Sequence, residues 1–197
     1  MPSLLGIHGS VTQPGRLHQA LQLALRFADD QSVDDKGTPV TTSLLHLGDY
    51  RISFADGRPL STYPDDTEAV VQQVMSADMY LIATPIFRAS FTASLKNLLD
   101  LVPVEGLMGK VCGLVGMGAT DHHYLAIDTQ LRPVLAWFGV HLVPGGVYLQ
   151  SRHFHDGQLA DPEAIAGLKA LVSGTIAMHH AAAQNVGTLG PKPLAAG

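Results

Sequence analysis

Short apolar runs alternate along the chain with longer segments of helical period. Leu4–His8 is a strand candidate closed by Gly9-Ser10, and residues 16–28 then place Leu17, Ala20, Leu21, Ala24, Leu25 and Ala28 on one helical face. Thr42–Leu47 reads as a second strand. Thr67–Ala77 reads as a helix with Val70, Val71 and Val74 inward, and Met79–Thr84 as a strand stopped by Pro85. The pattern repeats with a helix over Thr92–Val102, a strand over Val111–Val115 and a helix over His123–Phe138 closed by Gly139. Val140–Leu149 is a final strand, interrupted by Pro144-Gly145-Gly146. Asp161 and Pro162, suited to the cap and first turn, open a last helix that runs to about His180.

Strands alternating with helices imply a parallel sheet covered on both faces, and the continuous apolar runs agree with strands buried on both sides. Right-handed crossovers and five strands fit a doubly wound α/β sheet of order 2-1-3-4-5. Ligands of such sheets sit beyond the carboxyl ends of the strands where the order reverses. Here that means Gly9–Arg16 and Pro85–Phe91. Two segments fall outside the pattern. Residues 48–66 form a link long enough to be functional. The tail 181–197, rich in Ala, Gly and Pro, is expected to be mobile or packed on a neighbouring subunit, leaving one domain over residues 1–180.

The 197-residue length suits a single core, and 46% hydrophobic with 15% charged residues marks a globular chain. A net charge of −5 gives no basic footprint for nucleic acid or an anionic membrane. The one cysteine, Cys112, lies inside an apolar run and reads as a small buried hydrophobe. The first residues lack the basic region of a signal peptide, and no run is long enough to span a bilayer, so a cytoplasmic protein is expected.

Three loops carry candidate chemistry. In Gly9–Arg16, the hydroxyls of Ser10 and Thr12 and the free N–H groups of a helix start converge, and Arg16 adds a charge, which suits a phosphate. The loop is neither a G-x-G-x-x-G nor a Walker motif; a plain strand–helix turn is the competing reading. Thr84–Thr92 carries Phe87 and Phe91 where solvent is expected, and a flat heterocycle or a subunit interface would explain them. Arg88 in the same loop suits a dinucleotide phosphate, a partner contact or plain solvation. In Gly116–His123, the glycines Gly116 and Gly118 permit close backbone approach, and Thr120 and His123 offer hydrogen bonds. The histidine clusters His122-His123, His153-x-His155 and His179-His180 do not supply a converging ligand set, so no metal is expected. Asp34-Asp35 and Asp65-Asp66 read as solvated, and no nucleophile elbow or carboxylate pair is present.

Residues 82–103 (IATPIFRASFTASLKNLLDLVP), Gly109-Lys110 and Gly118 through Leu135 resemble the NADPH-dependent FMN reductase family, closest to the FMN reductases of sulfonate-utilisation monooxygenase systems. The likeness spans roughly residues 3–150. It implies a flavodoxin-like fold, dimers or tetramers, and hydride transfer from NAD(P)H to FMN, with a flavin-dependent monooxygenase as a possible partner. It implies FMN phosphate on Ser10, Thr12, Arg16 and Leu17. The flavin ring would lie against Pro85, Ile86 and Phe87 and against Gly116, Gly118, Ala119 and Thr120, tuned by backbone N–H groups near Phe87 and Gly118, with Arg88 and His123 as further cofactor-binding candidates. Two departures stand out. Gly15-Arg16-Leu17 replaces a hydroxyl-rich Ser-Arg-Ser/Thr, and Thr129 stands where the sulfonate-system reductases can carry an inserted tyrosine. Pro133, four residues on, leaves the Thr129 carbonyl without its helical partner, which points to a kink or π-bulge. A flavin-retaining azo- or quinone reductase and a flavodoxin-type electron carrier remain alternatives.

Overall fold

The computed structural model describes residues 1–30 and 39–184. In chain order the elements are β1 (Ser3–His8), α1 (Arg16–Asp30), β2 (Thr41–His46), α2 (Thr67–Ser76), β3 (Met79–Pro85), α3 (Ala93–Leu101), the single turn α4 (Val104–Leu107), β4 (Val111–Met117), α5 (Arg132–Trp137), β5 (His141–Leu142), β6 (Val147–Leu149), β7 (Phe154–His155), β8 (Gln158–Leu159) and α6 (Pro162–Gln184). The main sheet runs β2-β1-β3-β4-β5, all parallel, with β6 also paired to β4.

Alternation along β1 explains the two layers. Leu5 and Ile7 join a core with Val70 and Val74 of α2 and Leu95 and Leu98 of α3. Leu4, on the other face, joins Leu21 and Leu25 of α1 and Leu168 and Val172 of α6. Each such fully buried side chain is worth about 1.5–3 kcal/mol relative to exposure. Close helix–sheet approach depends on Gly113 in β4, where a Cβ would lie 2.8 Å from Thr175 Oγ1 and 3.0 Å from Leu171 Cγ of α6.

The structure differs from the sequence reading at the chain's second half. The last strand is two short ones, because Pro144-Gly145-Gly146 separates His141–Leu142 from Val147–Leu149 and both pair with β4. The helix expected over 123–138 is a 3₁₀ turn (Asp121–His123), a π-helical turn (Ile127–Leu131) and then α5. The π turn sits where Pro133 withdraws its N–H, with Thr129 donating both N–H and Oγ1–H to the Leu125 carbonyl at 2.9 and 3.0 Å. The last helix continues to Gln184, beyond the expected end near His180, so the supposed tail begins inside a helix. The remainder of that tail and Asp34-Asp35 lie outside the described residues. A β7–β8 hairpin, turned by Asp156 at φ 48° and Gly157 at φ 79°, was not anticipated. No described helix is long and apolar enough to cross a membrane.

Candidate functional site

Hydrogen bonds bind the loops at the switch point to one another. The Gly9 N–H donates to the Ala83 carbonyl at 2.8 Å, joining the ends of β1 and β3. Thr92, the N-cap of α3, accepts from the Leu95 N–H at 3.2 Å and donates its hydroxyl to the Gly9 carbonyl. The Ile86 N–H donates to the Met117 carbonyl at 2.8 Å, tying the loops after β3 and β4. A cleft of about 400 Å³ opens beside these contacts, lined by Ser10, Thr12, Leu47, Tyr50, Ile52, Phe54, Phe87, Thr92 and Asn97 among others.

In the first loop, Ser10 is buried and its Oγ lies 2.9 Å from Thr12 Oγ1 while accepting the Thr12 N–H at 3.2 Å. The Gly15 carbonyl accepts from the Gln19 N–H, so the first N–H groups of α1 have no acceptor within the helix. Arg16 is exposed and reaches Ser151 Oγ at 3.3 Å. Leu17 turns its side chain into the core, so only its backbone faces the loop.

In the second loop, Ile86 is buried and Phe87 is 56% exposed at the cleft rim. Phe87 and Ser90 exchange N–H···O bonds of 2.9 and 3.1 Å across a tight turn. Its two central residues, Arg88 (φ 51°) and Ala89 (φ 64°), are both left-handed without being glycine. Pro85 closes β3, and Arg88 stands exposed beyond it.

The third loop corrects one expectation. The close approach at Gly118 is made by Tyr148, whose hydroxyl would overlap any Cβ there and donates to the Thr120 carbonyl at 2.7 Å. At Gly116 the neighbour is Ile127, 2.7 Å from where a Cβ would sit. The Gly118 N–H donates to the Leu149 carbonyl at 3.1 Å and that of Phe87 to Ser90, so neither N–H is left over to tune a ring. Ala119 and Thr120 are exposed, and His123 is half-buried on the following turn. Asp121 next to them pairs with both Arg152 guanidinium nitrogens at 2.9 and 3.1 Å, which holds its carboxyl below the usual range.

Of the residues singled out, Ser10, Thr12 and Phe87 meet in the cleft, whereas Arg16 and the 116–123 segment lie outside its lining. Tyr50, Ile52, Phe54 and Asn97 were missed. The alternating apolar residues of an otherwise polar link were the available signal for the first three. Asn97 holds that link by accepting the Ala55 N–H and donating to the Ser53 carbonyl, both at 2.9 Å.

The structure also gathers three histidines the sequence reading did not single out. His8, His18 and His46 pack with ring centroids 4.8–5.5 Å apart, all buried. Burial, then the neighbouring imidazoles, pushes His8 down to about 4, and burial lowers His18 as well.

A paired-hydroxyl loop feeding a helix start, an aromatic-lined cleft and a strand-order reversal between them fit a phosphorylated flat heterocycle. They define a flavodoxin-like flavin-binding protein. The chain belongs to the NADPH-dependent FMN reductase family, whose model matches residues 2–154. It is 43% identical over 141 residues to an NAD(P)H-dependent FAD/FMN reductase of Geobacillus thermodenitrificans, covering 71% of this chain and 76% of the relative. It is 28% identical over 156 residues to the NADH-dependent FMN reductase SfnF of Pseudomonas putida, covering 79% and 81%. Among solved structures, the apo NADH:FMN oxidoreductase EmoB superposes with a TM-score of 0.69 at 25% identity over 90% of each chain. FerB of Paracoccus denitrificans, an NAD(P)H:(acceptor) oxidoreductase, shares the fold with a TM-score of 0.73 at 17% identity, over 92% and 98% of the chains.

Proposed function

We propose that this chain binds FMN at the switch-point cleft, reduces it with NAD(P)H and releases the reduced flavin to a flavin-dependent monooxygenase. The observation that carries the reading is the junction of the Ser10–Thr12 hydroxyl pair and the Phe87 turn in one aromatic-lined cleft. When bound, FMN would supply the hydride-accepting ring for NAD(P)H. The protein's part is positioning. Ser10, Thr12 and the first N–H groups of α1 hold the phosphate, with Arg16 as counter-charge. Phe87 and the Tyr50–Phe54 strip would offer the ring apolar contact at the cleft mouth.

Release is supported by the open rim, where Phe54 and Phe87 are 78% and 56% exposed. The chain is assigned to the cytoplasm, where the reduced nicotinamide is, and to a homodimer or homotetramer. An apolar face of Pro103, Val104, Pro133, Val134 and Trp137, the last 56% exposed, supports self-association. The test is NADPH and NADH oxidation by purified protein with and without added FMN. Turnover that rises and saturates with FMN is the expected result. Flavin retained through gel filtration with turnover only on an added quinone or azo dye favours a flavin-retaining reductase, and no turnover with either nucleotide removes the enzyme reading.

A further inference from the structure

We propose that His8, His18 and His46 form a site for a divalent transition cation of the zinc class, seated beneath the first loop. His8 is the last residue of β1 and His46 the last of β2, and the two are register partners in adjacent parallel strands. They therefore point to the same face. Leu4 and Gly6, four and two residues before His8, face α1, and His18 sits in the first turn of that helix. Three elements thus deliver one imidazole each to a single point. One nitrogen from each ring lies within 4.8 Å of the other two, and the residues are 2%, 8% and 4% exposed.

Packing alone leaves this arrangement unsatisfied. Among the described residues Nδ1 of His8 and Nδ1 of His18 are buried without a hydrogen-bond partner, a state that is rare for buried polar atoms and that a bound ion would relieve. His46 is already oriented. Its Nδ1 lies 3.2 Å from the Asp49 carboxylate, the outer-sphere partner that metal-binding imidazoles usually have. With its proton on Nε2, His46 donates to the Thr12 carbonyl oxygen 3.0 Å away; with the proton on Nδ1 it donates to Asp49 instead and frees the Nε2 lone pair for a cation. In that second tautomer a cation would take the place of the Nε2 proton between the ring and the carbonyl. The edge of a tetrahedron with metal–nitrogen bonds of about 2.0–2.1 Å is about 3.3 Å, so Nε2 and that carbonyl are already spaced as adjacent ligands. The other imidazoles need to close by roughly 1.5 Å from the widest spacing to reach the same edge.

Three neutral nitrogens and a carbonyl select borderline cations such as Zn²⁺ over the oxygen-seeking Ca²⁺ and Mg²⁺. Burial of all three imidazoles makes the site structural. It does not depend on the flavin reading, because its readout is the metal itself.

The test uses the full chain, stripped with chelator and reloaded. Wild-type protein is expected to retain one Zn²⁺ per chain through gel filtration, to melt several degrees higher with Zn²⁺ and to ignore Mg²⁺ and Ca²⁺. His18→Phe, which keeps the ring volume, is expected to lose at least tenfold in zinc affinity, whereas His122→Ala with His123→Ala retains it. Zinc retention unchanged in His18→Phe, or abolished by the His122/His123 pair, overturns the proposal. Co²⁺ replacement in wild type needs no variant. An intense visible band of a four-coordinate centre supports the site, and a weak six-coordinate spectrum or no bound Co²⁺ overturns it.

Discussion

The hydroxyl of Thr92 caps α3 through the Leu95 N–H and donates to the carbonyl of Gly9, so one side chain fixes the start of a helix and the start of the first loop together. Thr92 is buried, and its own N–H donates to Thr84 Oγ1 at 3.3 Å. Thr92→Val removes the cap and leaves the Gly9 carbonyl only the longer bond from Ser94 Oγ at 3.4 Å, with an expected loss of roughly 1–2 kcal/mol. Thr92→Ser is expected to stay near wild type. Urea unfolding of the pair checks this, and an equal loss in both variants would mean the hydroxyl is not what matters.

Among the described residues Arg16 makes an exposed hydrogen bond to Ser151 at 3.3 Å and no ion pair, which leaves its charge available to a phosphate. Arg16→Ala is expected to weaken FMN binding roughly tenfold to a hundredfold, the value of one charge-assisted contact. Binding of riboflavin, which has no phosphate, should not change. Fluorescence titration of both flavins makes the comparison.

Arg88 and Ala89 hold left-handed backbone at φ 51° and 64°. Ala89→Gly relieves that conformation at some cost in unfolded-chain entropy and is expected to gain about 0.5–1 kcal/mol. Ala89→Val should lose more than about 1 kcal/mol, because a β-branched side chain tolerates this region least. Thermal melts of the two variants should move in opposite directions.

At Gly118 a methyl group collides with the Tyr148 phenol. Gly118→Ala is expected to cost about 1–3 kcal/mol. Adding Tyr148→Ala should return part of that loss, and strict additivity of the two substitutions would show that they do not meet.

Cys112 and Tyr80 are register partners on β4 and β3, and burial raises both, the thiol to about 12. A raised folded pKa stabilises fully below the unfolded value and is lost above it. Between about pH 9 and 12 the unfolded chain gives up the thiol proton while the native chain keeps it, so stability falls as pH rises. Cys112→Ala should flatten that fall in unfolding experiments from pH 8 to 11. The native thiol should also resist a disulfide reagent at pH 8 and react once unfolded.

Much of the fold was legible in order along the chain. The apolar runs from Leu4, Met79 and Val111 became β1, β3 and β4, because strands buried on both faces show as continuous hydrophobicity. Pro133 announced the π turn by its missing N–H. Ser10, Thr12 and Phe87 could be placed together because the loops after the first and third strands of a doubly wound sheet meet where its order reverses. The β7–β8 hairpin escaped notice, since its two-residue strands carry too little periodicity to register.

What the sequence determined alone was therefore local: which segments are strands or helices, and which loops carry the hydroxyls and aromatics. The tertiary structure decided contacts between distant residues. It put Tyr148 on Gly118, where a ligand had been expected, and brought Tyr50, Ile52 and Phe54 over the cleft. It also decided which histidines meet. Adjacent pairs such as His122-His123 drew the eye in the sequence, yet His8, His18 and His46 converge. Strand register and the seat of α1 on the sheet set that convergence, and neither is written in the spacing of the residues.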